Sequence, residues 1–209
     1  MNAIAAACPT HAPDTAQALP EIGTLFAGGY FAGQIRVEGI LYGLVMAGAE
    51  GELSGRWNAS TANVADAVSL RDGRENTISM DAAGSKLAER ALALDIGGFA
   101  DWYIPSRDEM EILYRHFKPS AAANYTGSGV NANSVPAGEK YTRTSPAQTA
   151  VAALIEDQAD ALVPGWYWSS TQYAGNPDYA WSQNFDGGNQ DGYHKSYAGR
   201  ARAVRRFAI

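Results

Sequence analysis

At 209 residues and 46% hydrophobic content, the chain has the length for one domain with a sizeable buried core. Its 22 acidic against 16 basic residues leave a net charge of −6, which argues against nucleic acid or an anionic membrane surface as partner. No apolar run approaches the ~20 residues of a membrane span, and the single cysteine, Cys8, excludes an internal disulfide and a Cys-based zinc site.

Residues 1–22 are rich in Ala and Pro and hold no Lys or Arg, so they lack the charged start of a secretory signal. They read as a flexible or partner-docking arm ahead of a domain spanning 23–209. Gln34 to Val37 and Ile40 to Met46 read as two strands around the turn Glu38-Gly39. The arm and this apolar hairpin are the candidate assembly surface. Residues 48–63 read as loop. Met80 to Ile96 predicts a helix, with Leu87, Ala91 and Leu94 at i, i+4 and i+7 and Gly97-Gly98 as its stop.

A second helix is predicted from Arg107 to Phe117. Ser106 is its N-cap and Glu109, three residues on, completes a capping box. Ile112, Leu113 and Phe117 form its buried stripe, and Pro119 ends it. Residues 124–144 read as a long surface loop. Residues 146–162 offer a third helix, with Val151, Leu154, Ile155 and Leu162 on one side. Trp166 to Thr171, Tyr179 to Phe185 and Ala201 to Phe207 read as closing strands, with Gly187-Gly188 as a turn. Strands, helices, a long loop and strands again predict an α+β domain: an antiparallel sheet with two or three helices and long loops.

Alternation places Tyr179, Trp181, Gln183 and Phe185 on one face of their strand. Trp181 and Phe185 are expected in the core, and Ser182 and Asn184 are expected to point outward. Trp102, Trp166, Trp168 and Trp181 offer stacking platforms for sugars, but large aromatics more often fill cores. In the last strand Arg202 and Arg206 are expected on the solvent face and Phe207 inward. Arg205 shares the parity of Phe207, so it is expected to pair with a buried carboxylate or to cover the sheet edge with its stem.

The segment Gln172 to Tyr197 differs from the rest. Asn, Asp, Tyr, Ser and His fill 13 of its 26 positions, and aliphatic residues are nearly absent. Such a segment cannot build a core. Between two strand-like flanks it has the composition of a binding face, in which Tyr gives contact area at low entropic cost and short polar residues give adaptable hydrogen bonds. A long solvated loop is the other reading.

Signals for chemistry are weak. His11, His116 and His194 have no metal-ligand spacing. No G-x-S-x-G turn presents a nucleophile. Asp108, Glu109 and Glu111 cluster, but a first helical turn favours carboxylates for its own stability. Gly28 to Gly33 lacks the Lys-Ser/Thr of a phosphate loop.

Several motifs carry a family resemblance. They are Trp102-Tyr103-Ile104-Pro105-Ser106, Tyr167-Trp168-Ser169-Ser170-Thr171, Ala180-Trp181, Phe185-Asp186-Gly187-Gly188 and Arg202-Ala203-Val204-Arg205-Arg206. Together they resemble bacterial and phage domains with a C-type-lectin-like fold, over about residues 28–209. Within that fold the chain is most similar to phage receptor-binding proteins diversified by retroelements, of the major tropism determinant kind. Mutagenesis at adenines in Asn codons produces the residue types enriched here. The resemblance implies that Tyr173, Asn176, Asp178, Tyr179, Ser182, Asn184, Asn189, Asp191, Tyr193 and His194 are exposed ligand contacts.

It further implies a non-enzymatic tail-fibre or baseplate-tip protein of a virion. Its partners would be a bacterial surface protein or glycan and other phage tail proteins, and it would be a homo-oligomer, a trimer by analogy. A bacterial surface-displayed or secreted binding domain is the alternative, and a glycan-directed enzyme is the third. No cofactor is expected. Calcium stays open only because Asn176-Pro177-Asp178 is superficially similar to a lectin calcium motif; a Pro-containing turn is the expected reading.

Overall fold

The computed structural model describes residues 19–209. Cys8, His11 and nearly all of the expected arm therefore lie outside the described residues. The strands are β1 (Leu25–Phe26), β2 (Gly29–Val37), β3 (Ile40–Met46), β4 (Glu52–Arg56), β5 (Ser134–Val135), β6 (Trp166–Gln172), β7 (Tyr179–Asn184), β8 (Gln190–His194), β9 (Ala198–Arg202) and β10 (Val204–Ala208). The helices are α1 (Gly73–Ala82), α2 (Lys86–Leu92) and α3 (Arg107–Phe117). The class is α+β, as expected.

Two five-stranded sheets form. The first has the order β1-β2-β3-β10, with β5 paired to β2, and the second has the order β4-β9-β6-β7-β8. All pairings are antiparallel except β6 with β9. The β2–β3 hairpin matches the sequence. Val37 faces Ile40, and Glu38 and Gly39 both take positive φ, 47° and 82°. A two-residue turn of the primed type demands that geometry. The hairpin's inner residues, Leu44, Val45 and Met46, are consumed by the domain's own core.

A two-stranded ribbon joins the sheets. β3 pairs with β10 in the first sheet, and the same two stretches of chain continue as β4 paired with β9 in the second. Ala203 is the crossing point: its N–H donates to Gly51 O at 2.9 Å, and its carbonyl accepts from Ala47 N–H at 3.0 Å. The run expected as one closing strand is therefore two strands in two sheets.

That crossing corrects the expected orientation of the arginines. Arg202 and Arg206 do not face solvent. Arg202 is 2% exposed and bonds Glu52. Arg206 lies over the rings of Tyr42 and Tyr103 with its guanidinium 2.9 Å from Asp72. Alternation predicts solvent only where one face of a sheet is bare, and here both faces are covered. Arg205 does pair with a carboxylate at 2.6 and 3.0 Å, but that partner, Asp101, is exposed rather than buried.

The helix expected over 80–96 is two helices. Gly84 at φ 87° ends the first, and Ser85 caps the second by accepting from Ala88 N–H. The Ser85 hydroxyl also donates to Trp57 O, a tertiary bond that continuous helix would not allow. No helix forms over 146–162. A short 3-10 turn at Ala152–Leu154 stands there instead. Its backbone is bound to the end of α3, with Thr149 N–H on Lys118 O and Glu156 N–H on Pro119 O. Leu154 and Leu162 still reach the core.

α3 forms as predicted, with Ser106 and Glu109 closing the capping box. It lies against β2, β6 and β7 and so bridges the two sheets. The main core fills this space with Tyr103, Ile112, Leu113, Tyr114, Phe117, Tyr167 and Phe185. A second core, built on Trp57, Met80, Leu87, Trp168 and Ala180, lies on the opposite face of the second sheet under α1 and α2. Residues 124–144 are irregular but tethered. Asn131 donates to Asp108 O and Glu111 Oε2, both at 2.9 Å, so this loop is pinned onto α3.

Candidate ligand-binding face

β7 and β8 form a ribbon at the edge of the second sheet. β8 lies outside the strands predicted from sequence; it pairs with β7 from Tyr179–His194 to Gln183–Gln190. Residues facing each other in an antiparallel pair share a face. The ten candidate residues therefore divide between two faces and two turns.

On one face, Tyr179 packs edge-on against His194 with ring centroids 5.4 Å apart. Beside them Tyr173 meets Trp181 at 4.9 Å, and the Arg107 guanidinium covers the same indole at 5.4 Å. Asn176 and Asp178 stand in the adjoining turn. Asp178 N–H donates to Asn176 Oδ1 at 3.0 Å, and Tyr179 N–H to Asn176 O at 3.1 Å. The expected Pro-containing turn is what forms. No cluster of three or more His, Cys, Asp or Glu suited to a metal ion occurs among the described residues.

On the other face a groove of about 510 Å³ opens between β6, β8 and β9. Trp166, Trp168, Tyr193, Tyr197, Ser182 and Arg200 line it. Tyr193 is the corner: its ring is 4.7 Å from Trp166 and 6.4 Å from Trp168. Tyr197, 5.7 Å from His194, joins the groove to the aromatic set on the first face. Trp168 can sit flat against β9 because Gly199 is there. A Cβ at 199 would lie 2.5 Å from the indole nitrogen.

At the far end, Asn184 and Asn189 close the β7–β8 turn. Asn184 N–H donates to Asn189 O at 2.9 Å, and Asn184 Oδ1 accepts from Asp186 N–H at 2.8 Å. Asp191 is exposed on β8.

Two expectations for β7 need correction. Trp181 is half-buried rather than core, and Ser182 is 3% exposed rather than outward. The parity itself was right. Because the second sheet is covered on both sides, parity does not separate core from solvent. Phe185 is core, as expected.

Not all of the polar segment is display surface. Gln172 and Lys195 are scaffold. Gln172 Oε1 accepts from Val64 N–H at 2.8 Å and from Lys195 Nζ at 2.6 Å, and Gln172 Nε2 donates to Asn63 at 2.6 Å. Lys195 is fully buried, donates also to Ala62 O at 3.1 Å, and stands 4.5 Å over the Trp57 ring. Burial pulls its ammonium down to about 8, with partial relief from Asp178. These bonds strap residues 57–67 to the root of the ribbon and hold its angle.

The carboxylates near α3 do not converge on a cleft. Asp108 bonds Arg107 and Asn133, Glu109 bonds Tyr103 and the Ser106 N–H, and Glu111 bonds Arg115, Tyr141 and Asn131. Burial raises Glu109 and Glu111 above the usual carboxylate range.

The family model of the Lcl C-terminal domain matches residues 56–205. The chain belongs to this family. Lcl C-terminal domains are C-type-lectin-like and related to phage tropism determinants, so the resemblance and the fold expected from the motifs are both established. The match takes in four strands of the second sheet, β6 to β9, all three helices and the whole ribbon, with only the last residue of β4. It leaves out the β2–β3 hairpin. No curated protein matches the chain.

Within this Lcl C-terminal domain the groove was only partly legible beforehand. Ser182 and Tyr193 were among the expected contacts; Trp166, Trp168, Tyr197 and Arg200 were not. The W-x-W spacing of Trp166 and Trp168 places both indoles on one face. That spacing is the sequence signal for the groove, although large aromatics more often fill cores.

Proposed function

We propose that this domain is a receptor-binding module of a phage tail tip that attaches to a bacterial surface protein or glycan, without catalysis. The aromatic groove between β6, β8 and β9 carries this reading. Concave sites with apolar walls and a few polar groups are the usual form of ligand pockets. Tyr and Trp held by strands are rigid anchors that lose little entropy on binding. Membership of the Lcl C-terminal domain family supports receptor binding in general terms; attachment to a virion and a trimeric assembly rest on the resemblance to tropism determinants. Trimerisation would turn modest single sites into avid attachment.

The test is retention of labelled protein on a panel of intact bacteria. One variant carries Tyr193→Ala and Tyr197→Ala in the groove, and another carries Tyr173→Ala and Tyr179→Ala on the opposite face. For a cell type that binds wild type, the groove variant is expected to lose at least tenfold in affinity while keeping its near-UV circular dichroism. Undiminished binding by both folded variants, or no binding to any cell by wild type, would overturn the reading.

Diversification by a retroelement belongs to the same proposal. It predicts that among relatives the ten candidate positions vary far more than Gln172, Phe185 and Lys195, which hold the ribbon. Equal variation across both sets removes this part and leaves the binding role standing.

A further inference from the structure

A second concave site lies away from the ribbon, where the C-terminal end of α3 meets residues 121–123 and 143–148. Its volume is about 470 Å³, and Lys118, Arg143, Thr144 and Gln148 line it together with alanines at 121–123 and 147. None of the lining residues is acidic, in a chain whose net charge is −6.

The two cations there have no carboxylate partner. Among the described residues neither Lys118 nor Arg143 makes a salt bridge. Lys118 is 2% exposed, and its ammonium donates to Ala122 O. One carbonyl occupies one of its three donors. Buried charges are ordinarily paired, because desolvation is expensive. Burial also lowers the lysine below its ordinary value, with Asp186 opposing the shift from a distance. An anion in the site would offset that cost.

We infer that this site binds a phosphate group, free or carried on a small neutral body. The Lys118 ammonium would act as a point charge, and the Arg143 guanidinium would supply a planar fork of donors. The Thr144 hydroxyl adds a neutral donor, and the alanine walls suit an uncharged body. The site adjoins the ribbon, since Tyr125 N–H donates to Gly187 O at 2.7 Å in the β7–β8 turn. It is separate from the aromatic groove, so it does not depend on the receptor-binding reading.

The test is thermal unfolding of the full chain in inorganic phosphate, in glycerol 3-phosphate and in sodium chloride at matched ionic strength. Phosphate also stabilises proteins by exclusion from their surface, but that effect does not saturate and is indifferent to one side chain. A saturable rise in Tm is expected with the phosphates and not with chloride. Arg143→Gln alters an exposed side chain and leaves the fold intact. It is expected to raise the phosphate concentration needed for half the effect at least fivefold.

Lys118→Met is expected to abolish the saturable part. If that variant unfolds, Arg143→Gln alone decides. Tighter binding of glycerol 3-phosphate points to a phosphate on a larger body, and equal binding points to free phosphate; both support the site. No saturable effect, or an Arg143→Gln protein indistinguishable from wild type, overturns it and leaves Lys118 as a clamp on residues 118–122.

Discussion

Arg202→Met is expected to destabilise the domain by about 3–5 kcal/mol, the usual cost of removing one partner from a buried, hydrogen-bonded ion pair. The guanidinium sits where the ribbon crosses between sheets. Its Nε donates to Glu52 Oε2 at 2.8 Å, and its terminal nitrogens donate to the carbonyls of Ala47, Asp160 and Ala161 at 3.0–3.3 Å. Methionine fills much of the same volume, so the loss is electrostatic rather than a cavity. It leaves Glu52 with Tyr167 and a long contact to Arg200, and three carbonyls without their donor.

The readout is a lower urea midpoint at unchanged m, and a Tm lower by on the order of 10 °C for a domain of this size. Arg202→Lys is expected to recover little, because one ammonium cannot span a carboxylate and three carbonyls. A loss under about 1 kcal/mol for the methionine variant would mean that Arg202 is not the pin of the crossing. Arg200 in the groove lies two residues away on the same strand, so the crossing also sets one wall of the candidate site.

The sequence signals that held were local ones. Ser106 and Glu109 specify a helix start through bonds made within three residues, and α3 begins there. Glu38-Gly39 specifies a turn, and Asn176-Pro177-Asp178 another. The signals that failed were those whose outcome depends on a distant partner. Leu87, Ala91 and Leu94 carry a helical period, yet Ser85 gives up continuous helix for a bond to Trp57 O. Val151, Leu154 and Leu162 suggest an amphipathic helix, yet the backbone of Thr149 and Glu156 in the same segment binds the end of α3.

The site shows the same division. The polar composition of 172–197 marked the right stretch of chain. It did not show that β8 is a strand, that the candidates lie on opposite faces, or that Lys195 is buried. The groove is assembled from β6, β8 and β9, and its walls depend on the pairing of β6 with β9, in which Tyr167 meets Arg200. No periodicity within one strand encodes that.

Glu109→Ala is expected to cost a similar 3–5 kcal/mol and to weaken ligand binding as well. This carboxylate is fully buried and accepts three hydrogen bonds: from Ser106 N–H at 2.7 Å, Gly73 N–H at 3.1 Å and Tyr103 OH at 2.8 Å. It therefore joins the first turn of α3 to the first turn of α1, which is more than the local cap predicted from sequence. Removing it strands two buried backbone donors and a buried phenol, each with its own desolvation cost. It also leaves Arg206, 3.9 Å away, with Asp72 as its remaining carboxylate.

Glu109→Gln separates charge from shape. The amide oxygen can keep some of the donors, but the amide NH2 must then face another, so a partial loss of about 1–3 kcal/mol is expected. The functional consequence follows from Arg107. This residue opens α3, covers the Trp181 ring, and offers its carbonyl to Gln190 Nε2 at 2.8 Å on β8. Loosening the first turn of α3 frees the ribbon that carries both aromatic sets. Cell binding by Glu109→Ala, measured at a temperature where the variant is still folded, is expected to fall although no candidate contact has changed. Full binding in a folded Glu109→Ala protein would show that the ribbon holds its shape without the anchor at α3.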